Sequence, residues 1–235
     1  MKQPLVVGYK GEIGSFIING LLRVMPKALD IWCVDINETE EEVADRIKNS
    51  DTIFLCIPLQ DTMGWLLKYK ILLKDKVILE QCSLKEWLYN HDSLKDLTIL
   101  SMHILFKPSQ TPNFGDRAVG LFKNQFYNVT QSISPIDISD ITQSSVVWYD
   151  NARDHDVSMA TQQALLHRVL LVLGKTLKQC NGSTYISKKV LELEARIRKG
   201  NKNLYSMIQE NDYLPVILHE FQKDLEDFSP DDFWE

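Results

Sequence analysis

The sequence predicts an α/β fold in which a parallel, doubly wound sheet is followed by an all-α domain. In the first half of the chain, short apolar runs alternate with stretches of helical periodicity, which is the pattern of repeated βαβ units. In the second half, the strand-like runs stop near Asp150 and only helical patterns follow. A chain of 235 residues, 44% of them apolar, is long enough to bury a substantial core.

Apolar runs of strand character occur throughout the first half, and most are rich in Val, Ile and Leu. Several lack the alternation of a half-exposed strand, as expected where helices cover both faces of a parallel sheet. Between them, Ser15–Met25 and Asp61–Leu73 have helical periodicity. The predicted strands are Leu5–Val7, Ile31–Val34, Thr52–Ile57, Val77–Leu79, Thr98–Leu100, Ala118–Leu121 and Val146–Tyr149.

The second half is predicted to be helical. Its longest helix covers Asp154–Cys180 and ends at the stop signal Asn181-Gly182. This helix is apolar around much of its circumference, which predicts burial against a second subunit as well as against its own domain. Shorter helices are predicted at Tyr185–Arg198, Asn203–Glu210 and Pro215–Phe228. The predicted domains are therefore residues 1–150 and 151–235.

Composition argues against several classes of protein. No run reaches the length of about 18 apolar residues that a membrane span needs. Cys33, Cys56, Cys82 and Cys180 form no CxxC pair, so neither a disulfide scaffold nor a zinc site is expected, and a reducing, cytoplasmic location is the default. The net charge is −6, and the acidic excess lies in residues 210–235, which argues against nucleic acid binding there.

A glycine-rich turn follows the first predicted strand, and a helical pattern begins within the same segment. Glycine is needed where the backbone turns sharply and approaches a diphosphate without a Cβ in the way. The free N–H groups at the start of the helix then favour an anion. The predicted diphosphate contacts are Gly8, Gly11, Glu12, Ile13 and Gly14.

Two neighbouring strand ends complete the predicted cofactor site. Asp35 follows the second strand, 21 residues after Gly14, where an acid accepts hydrogen bonds from ribose hydroxyls and repels a 2′-phosphate. This favours NAD over NADP. Pro58 ends the third predicted strand, either beside the cofactor or as an ordinary strand terminus. The strict G-x-G-x-x-G pattern is broken by Tyr9, so a structural turn without a cofactor is the alternative.

Several short sequence blocks along the chain together carry a resemblance to a known family. In the most specific one, a His-Asp pair is followed by a second histidine twelve positions after the first. The blocks are Gly8–Gly14, Ser50–Pro58, Glu80–Lys85, Ser101–Pro108, His155–His167 and Ala195–Asn211. Together they resemble the prephenate dehydrogenase family over most of the chain, from the glycine turn to near Phe221.

The resemblance implies a Rossmann-like domain that binds NAD and a helical domain that forms a homodimer. It also implies an oxidative decarboxylation, in which hydride passes from the ring carbon bearing the 4-hydroxyl to NAD, carbon dioxide is lost and the ring becomes aromatic. Prephenate would give 4-hydroxyphenylpyruvate in tyrosine biosynthesis, and arogenate would give tyrosine. Prephenate, arogenate and a close analogue all remain open as substrates.

The resemblance assigns roles to five residues. His103 matches the catalytic histidine, and a neutral imidazole suits acceptance of the hydroxyl proton. Ser83 matches the serine that hydrogen-bonds the same hydroxyl. Arg196 matches an arginine of the helical domain, whose guanidinium fits a substrate carboxylate. His167 matches a histidine of the substrate pocket. His155, at the start of the long helix, is either a further substrate-binding residue or a structural one, and the acid after it is expected to cap the helix.

The sequence departs from the family pattern around these residues. The family has Pro-Met and then a small residue after the catalytic histidine, whereas this chain has Ile104-Leu105-Phe106-Lys107. Cys82 stands where glycine is common, and Tyr9 crowds the diphosphate turn. A catalytically weak, NAD-binding dimeric protein is therefore one alternative function.

A second alternative is a β-hydroxyacid dehydrogenase, a family that carries Lys-x-x-x-Asn in its long helix. Lys178 and Asn181 are only three positions apart, which argues against it. Lys85 follows the prephenate dehydrogenase pattern but is interpreted as a helix-terminus charge. The enzymatic interpretation requires His103 and Arg196, from separate domains, to reach opposite ends of one substrate.

Overall fold

The computed structural model describes residues 3–25, 31–111, 113–128, 133–200 and 202–228. The chain forms two compact units, Met1–His155 and Asp156–Glu235. The assignment of cofactor binding to residues 1–150 and of substrate binding and dimerisation to residues 151–235 stays a prediction.

The first unit contains a seven-stranded sheet with the order β2-β1-β3-β4-β5-β6-β7. The strands are β1 (Pro4–Val7), β2 (Trp32–Val34), β3 (Thr52–Leu55), β4 (Val77–Glu80), β5 (Thr98–Ile104), β6 (Ala118–Phe122) and β7 (Ser145–Tyr149). The sheet is mainly parallel, and β5 with β6 is its antiparallel pair. A loop with two 3-10 turns, rather than a crossover helix, joins these two strands, so the chain returns beside β5 in the opposite direction. The predicted α/β fold is confirmed.

Helices cover both faces of this sheet. They are α1 (Glu12–Val24), α2 (Glu40–Lys48), α3 (Leu59–Leu73), α4 (Glu86–Tyr89), α5 (Lys123–Asn128) and α6 (Pro135–Thr142). Alternate residues of the strands point to opposite faces. Val6 and Phe54 therefore pack in one apolar cluster with residues of α1 and α6, whereas Leu5 and Ile53 pack in another with residues of α2 and α3.

Short polar motifs fix where several helices begin. Thr39 and Glu42 form a reciprocal capping box at α2, and Ser134 and Asp137 form another at α6. Neither helix was predicted from periodicity, because each is short and contributes few buried apolar side chains.

The second unit is helical, as predicted. Helix α7 (Ala152–Met159) leads into it and continues through a π-helical segment (Ala160–Leu165) into α8 (Leu166–Leu177). The remaining helices are α9 (Tyr185–Lys199), α10 (Lys202–Gln209) and α11 (Leu214–Asp227). The π-helical segment packs against α10 and α11, and its Ala164 is buried with Ile208 and Leu214. Among the described residues, no helix is both long enough and apolar enough to cross a membrane.

The start of α7 differs from the prediction. The predicted cap, Asp156, lies inside the helix, and its carbonyl oxygen accepts a hydrogen bond from the Asn211 side chain at 2.8 Å. Asn151 caps the helix instead, since its Oδ1 accepts from the backbone N–H of Asp154 at 3.0 Å. The helix therefore begins before the predicted Asp154, at Ala152.

Candidate active site

The parallel strands of the first unit end along one edge of the sheet. Their register aligns Val34 with Val7, Val7 with Leu55, Leu55 with Glu80, and Glu80 with Ser101. Each of these residues lies at or near the carboxyl end of its strand. Ligands of open α/β sheets bind at such an edge. The predicted cofactor segments and Ser83 follow these strand ends, and His103 lies near the end of β5.

The glycine turn after β1 departs from the usual spacing but keeps its geometry. Gly8 has φ +79°, a conformation that side chains disfavour, and a Cβ there would lie 2.4 Å from the carbonyl oxygen of Cys56. Gly8 therefore makes the turn that Tyr9 could not. A Cβ on Gly14 would lie 2.2 Å from the Gly8 carbonyl oxygen, so that helix α1 starts directly against the turn.

The start of α1 fits an anion such as a diphosphate. Gly11 precedes the helix without a side-chain cap, so the N–H groups of the first turn, residues 12–14, are left for a ligand. The carboxylate of Glu12 is engaged elsewhere, because it accepts a hydrogen bond from the backbone N–H of Ser109 at 2.8 Å and lies 3.9 Å from Lys107. Only the backbone of Glu12, like that of Ile13, is therefore suited to the predicted contact.

Asp35 is fixed beside the glycine turn. Its Oδ2 accepts a hydrogen bond from the backbone N–H of Lys10, and its Oδ1 accepts one from Ile36, both at 2.9 Å. These bonds orient the carboxylate at the end of β2, and each oxygen keeps a further lone pair that a ribose hydroxyl could use. The position fits the predicted role.

Pro58 does not end a strand. Strand β3 stops at Leu55, and Pro58 directly precedes α3, where its carbonyl oxygen accepts a hydrogen bond from the backbone N–H of Asp61 at 3.0 Å. Proline is well suited to a helix start because it has no N–H to leave unpaired. The predicted strand end at Ile57 is therefore corrected, and the predicted cofactor contact of Pro58 stays a prediction.

The sequence suggests that His103 follows a strand end. In the structure it lies within β5 instead. The strand continues to Ile104 because β6 pairs with it, placing His103 opposite Gly120. Ser101 pairs with Glu80, the last residue of β4, and His103 lies two residues further along β5. Its side chain is only 5% exposed.

His155 contacts His103 directly. Nδ1 of His103 and Nε2 of His155 are 2.9 Å apart, within hydrogen-bond distance. The ring of Tyr149 packs edge-on against His155, with 5.0 Å between their centroids. Burial, the neighbouring His155 and the charge of Lys85 lower the pKa of His103 well below its usual value. Burial and Lys85 lower the pKa of His155 to about 2. Both imidazoles are therefore neutral at pH 7.

A buried ion pair lies close to the histidines. Nζ of Lys85 is 2.6 Å from Oε1 of Glu80, and neither side chain is exposed. The same carboxylate accepts hydrogen bonds from the Tyr89 hydroxyl at 3.2 Å and from the backbone N–H of Cys82 at 2.8 Å. Burial and then the Glu80 carboxylate raise the pKa of Tyr89 well above its usual value. Lys85 does lie at a helix terminus, directly before α4, but it is a fully buried residue paired with Glu80.

Ser83 lies in the loop between β4 and α4, at the carboxyl edge of the sheet, and is half-buried. Its neighbour Cys82, in place of the usual glycine, is buried with its Sγ 3.4 Å from the Thr62 hydroxyl. In the same loop, both polar atoms of the Gln81 amide are buried without a hydrogen-bond partner among the described residues. The loop therefore brings polar groups to the edge beside β5.

The predicted substrate residues of the second unit lie on two of its helices. His167 of α8 is half-buried, packs edge-on against Tyr205 at a centroid distance of 4.9 Å, and has its pKa lowered by burial. Arg196 is exposed on α9. Its neighbour Arg198 binds Glu194, which also accepts from Lys178 at 2.8 Å. Whether His103 and Arg196 share one substrate stays a prediction.

The sequence and fold of this chain were compared with those of known proteins. No protein-family model and no curated protein matches the sequence. A proposed prephenate dehydrogenase from Corynebacterium glutamicum matches with a TM-score of 0.71 and 13% identity, over 96% of this chain and 80% of that one. Prephenate dehydrogenase from Aquifex aeolicus, in complex with hydroxyphenyl propionate and NAD+, matches with a TM-score of 0.69 and 18% identity, over 96% and 88%. This chain has the prephenate dehydrogenase fold.

Arogenate dehydrogenase from Synechocystis has the same fold, with a TM-score of 0.62 and 16% identity over 96% of this chain and 90% of that one. The prediction of a Rossmann-like domain followed by a helical domain is confirmed. In this prephenate dehydrogenase fold, the residues predicted for diphosphate, ribose and hydroxyl proton all belong to the first unit. Within the described residues, no cluster of His, Cys, Asp or Glu has the geometry of a metal site.

Sequence reasoning missed two features of the site. It gave His103 and His155 separate roles, and their spacing along the chain holds no signal that they meet. It also missed the pairing of Lys85 with Glu80. An acid at the end of the otherwise apolar run Val77–Glu80 was the available signal, because a carboxylate that enters a buried strand needs a buried donor.

Proposed function

We propose that this protein is an NAD-dependent dehydrogenase that oxidatively decarboxylates prephenate or a close analogue such as arogenate. The observation that carries the proposal is His103, a neutral imidazole on the strand-end edge of the sheet. The likeness to structures of prephenate and arogenate dehydrogenases supports the same reaction class. One of those structures contains NAD+.

The first unit supplies the proposed cofactor site. Residues 8–14 offer the glycine turn and the free N–H groups of α1 to the diphosphate, and Asp35 accepts hydrogen bonds from the adenosine ribose. NAD, when bound, supplies the hydride acceptor. About 14 Å separates β1 from β5, since three strand spacings of roughly 4.8 Å lie between them, and an extended dinucleotide can cover this distance along the edge.

His103 is the proposed base. It takes the proton of the 4-hydroxyl as hydride leaves the same carbon, and the electron pair of the breaking carbon–carbon bond enters the ring as carbon dioxide departs. Ser83 hydrogen-bonds the same hydroxyl. The low pKa makes His103 neutral but weakly basic. A bound dicarboxylate beside it raises that pKa toward the working pH, because a nearby negative charge favours the imidazolium.

The second unit supplies the proposed carboxylate site and the dimer contact. Arg196 is exposed and carries a planar guanidinium suited to a carboxylate, and His167 lines the same proposed pocket. Helices α8 and α9 also expose large apolar side chains, as expected of a surface that a second copy covers. These side chains are Leu166, Val172, Leu173, Tyr185, Ile186 and Leu193.

Formation of NADH tests the proposal. Purified protein is mixed with NAD and prephenate, and then with NAD and arogenate, while absorbance of the reduced cofactor is followed. His103→Asn is expected to lower turnover by about 10²–10⁴-fold, the usual loss for a general base, with the affinity for NAD unchanged. His219→Asn, at an exposed histidine of α11, is the matched control and is expected to leave turnover unchanged.

Two outcomes would contradict the proposal. Turnover that His103→Asn leaves unchanged would remove this imidazole from the mechanism. Binding of NAD without turnover of either substrate would favour the catalytically weak, NAD-binding alternative. The altered segment after His103 is the feature on which that alternative depends, since Phe106 packs on Phe16 of α1 and Ser109 is held by Glu12.

A further inference from the structure

The geometry assigns a positioning role to His155. We propose that Nδ1 of His103 carries the ring proton and donates it to Nε2 of His155, so that Nε2 of His103 is the nitrogen with the free lone pair. His155 thereby selects the tautomer of the base and does not touch the substrate. The tautomer itself does not depend on the proposed function. The role of the free lone pair as proton acceptor does rest on the proposed function.

The contact is short and shielded from water. The two nitrogens are 2.9 Å apart, and the side chains of His103 and His155 are 5% and 0% exposed. The orientation of His155 is fixed by Tyr149 and Phe122, whose ring centroids lie 5.0 Å and 6.0 Å from its own. In such an environment a lost hydrogen bond is not replaced by one to bulk water, so the pair is expected to persist.

Neutrality of both rings limits the pair to two arrangements. Two neutral imidazoles in contact through one nitrogen each share a single proton, which belongs either to His103 or to His155. Among the described residues, the titratable groups around the pair include the Lys85–Glu80 ion pair, Tyr89 on Glu80, and Tyr149 against His155. The ammonium of Lys85 opposes a second proton on either ring. The choice between the two arrangements therefore decides which nitrogen of His103 is free.

Access to Nε2 connects the proposed arrangement with the reaction. Among the residues that the structure describes, Nε2 of His103 has no hydrogen-bond partner, and it is not among the fully buried polar atoms that lack one. With the proton on Nδ1, that accessible nitrogen presents a lone pair able to accept a proton. With the proton on Nε2, the nitrogen could donate to water but could not accept the proton of a substrate hydroxyl.

The proposal gives the proton-transfer step a definite route. The O–H bond of the substrate hydroxyl breaks and an N–H bond forms at Nε2 of His103, which becomes an imidazolium. The Nδ1–H of this imidazolium still donates to the neutral His155, so the new positive charge gains a charge-assisted hydrogen bond without any rearrangement. His155 thus favours the protonated product of the step as well as the reactive tautomer.

Nitrogen NMR of the intact protein tests the assignment without a substrate. The chain has five histidines, so long-range ¹H–¹⁵N correlation of protein labelled at histidine gives few signals, and His103→Gln identifies those of His103. Protonated and bare ring nitrogens resonate in separate ranges. At pH 7 we expect Nδ1 of His103 in the protonated range and Nε2 in the bare range. The opposite pattern would overturn the inference, whatever the activity.

Two variants test the role of His155. His155→Phe keeps a ring but removes the acceptor, so we expect both nitrogens of His103 to shift toward values averaged between tautomers. We also expect kcat to fall by about 10- to 100-fold, less than loss of the base itself, with the KM for NAD unchanged. His155→Gln keeps an acceptor in its amide oxygen and should restore both the shifts and part of kcat.

His103 signals that are unchanged in His155→Phe would overturn the inference. The spectrum of the unmodified protein decides the tautomer even if that variant does not fold. Absence of turnover with prephenate and arogenate would refute the proposed function, whereas the nitrogen shifts would still test the hydrogen bond. The two failures are therefore distinguishable.

Discussion

The two units of the molecule bury their side chains in different ways. In the first, apolar clusters on both faces of the sheet include most of the strand residues. In the second, one described apolar cluster contains Ala164, Ile208 and Leu214 with a few partly buried neighbours, and Met159 and Ala160 are also buried. Large apolar side chains such as Val172 and Ile186 are 64% and 73% exposed instead. The second unit thus exposes large apolar side chains on α8 and α9, the surface that we propose a second copy covers.

Their charged groups differ in the same way. In the first unit, the side chains of Lys85 and Glu80 are completely buried. In the second, Glu194 is covered, but its partners Lys178 and Arg198 are 52% and 56% exposed. The buried pair of the first unit is therefore held in one fixed arrangement, which suits positioning of a base. The second presents cations to water, where they can reach an incoming anion.

Breaking the buried ion pair should have the largest effect on stability. Lys85→Met leaves the Glu80 carboxylate buried with the Tyr89 hydroxyl and the Cys82 N–H as its donors within the described part of the chain. We expect the free energy of unfolding to fall by about 3–5 kcal/mol, the usual cost of leaving one buried charge unpaired. Unfolding by urea, followed by circular dichroism, measures the change.

Surface pairing provides the control. Lys95 lies 2.7 Å from Asp92, but the two side chains are 71% and 86% exposed. Lys95→Met is expected to change stability by less than about 1 kcal/mol. Combining Lys85→Met with Glu80→Gln should recover part of the loss, because the remaining side chain is then neutral. Equal effects of Lys85→Met and Lys95→Met would remove the contrast between buried and exposed pairs.

Much of the first unit could be predicted because local patterns determine it. Buried strands are recognisable as short apolar runs, and the glycine turn with Asp35 is recognisable because both strand ends must meet one ligand edge. Strand limits were harder. The extension of β5 past Ser101 depends on pairing with β6, which begins 14 positions after Ile104. Such pairing leaves no mark in the strand's own sequence.

Contacts distant in sequence could not be predicted from spacing. His103 and His155 meet across 52 positions because β5 and the start of α7 are brought together by the sheet. Lys85 is interpreted from the sequence as a helix-terminus charge, whereas the structure buries it. Lysines are seldom fully buried without a partner, and that partner, Glu80, is apparent only in three dimensions. Exposure of Arg196 agrees with either a ligand contact or a solvated helix charge, so its role stays a proposal.

Acid should destabilise the first unit through its two buried imidazoles. The pKa of each lies below the value of 6.5 expected in the unfolded chain. Below pH 6.5 the unfolded chain therefore binds protons that the folded protein does not, and stability falls as pH falls. Above pH 6.5 both states are neutral and this dependence disappears. The expected loss approaches about 1.4 kcal/mol per imidazole for each pH unit, or about 2.8 for both.

Denaturant unfolding at a series of pH values between 7.5 and 5 measures this dependence. Carboxylates also titrate toward the acid end, so the comparison that matters is with His155→Gln, which lacks one of the two groups. Its stability should depend less steeply on pH below 6.5, by about one proton's slope. Parallel curves for the two proteins would show that His155 is protonated in the folded state as readily as in the unfolded one.

Substitution of the exposed cation should affect binding and spare the fold. Arg196→Ala is expected to weaken substrate binding by about 2 kcal/mol, or roughly 30-fold, the scale of a charge-assisted hydrogen bond. Its effect on unfolding should stay below about 0.5 kcal/mol, as for most surface substitutions. The KM for prephenate and a urea titration measure the two quantities. A change confined to stability would return Arg196 to a structural role.

Substitution in the exposed apolar surface of the second unit should weaken self-association. Val172→Ala removes about two methylene equivalents from each copy, worth roughly 0.8 kcal/mol apiece when buried. The dimer then loses about 3 kcal/mol, so its dissociation constant should rise by about 10²-fold. Alanine favours the helix at this position, so a loss of folding is not expected to confuse the result. Sedimentation velocity over a dilution series measures the dissociation constant. Ile36→Ala, at a residue of the first unit that is 92% exposed, is the control and should leave association unchanged. Equal dissociation constants for the two variants, or a monomer at all concentrations, would contradict the proposed dimer contact. The second unit would then be stable with these apolar side chains exposed.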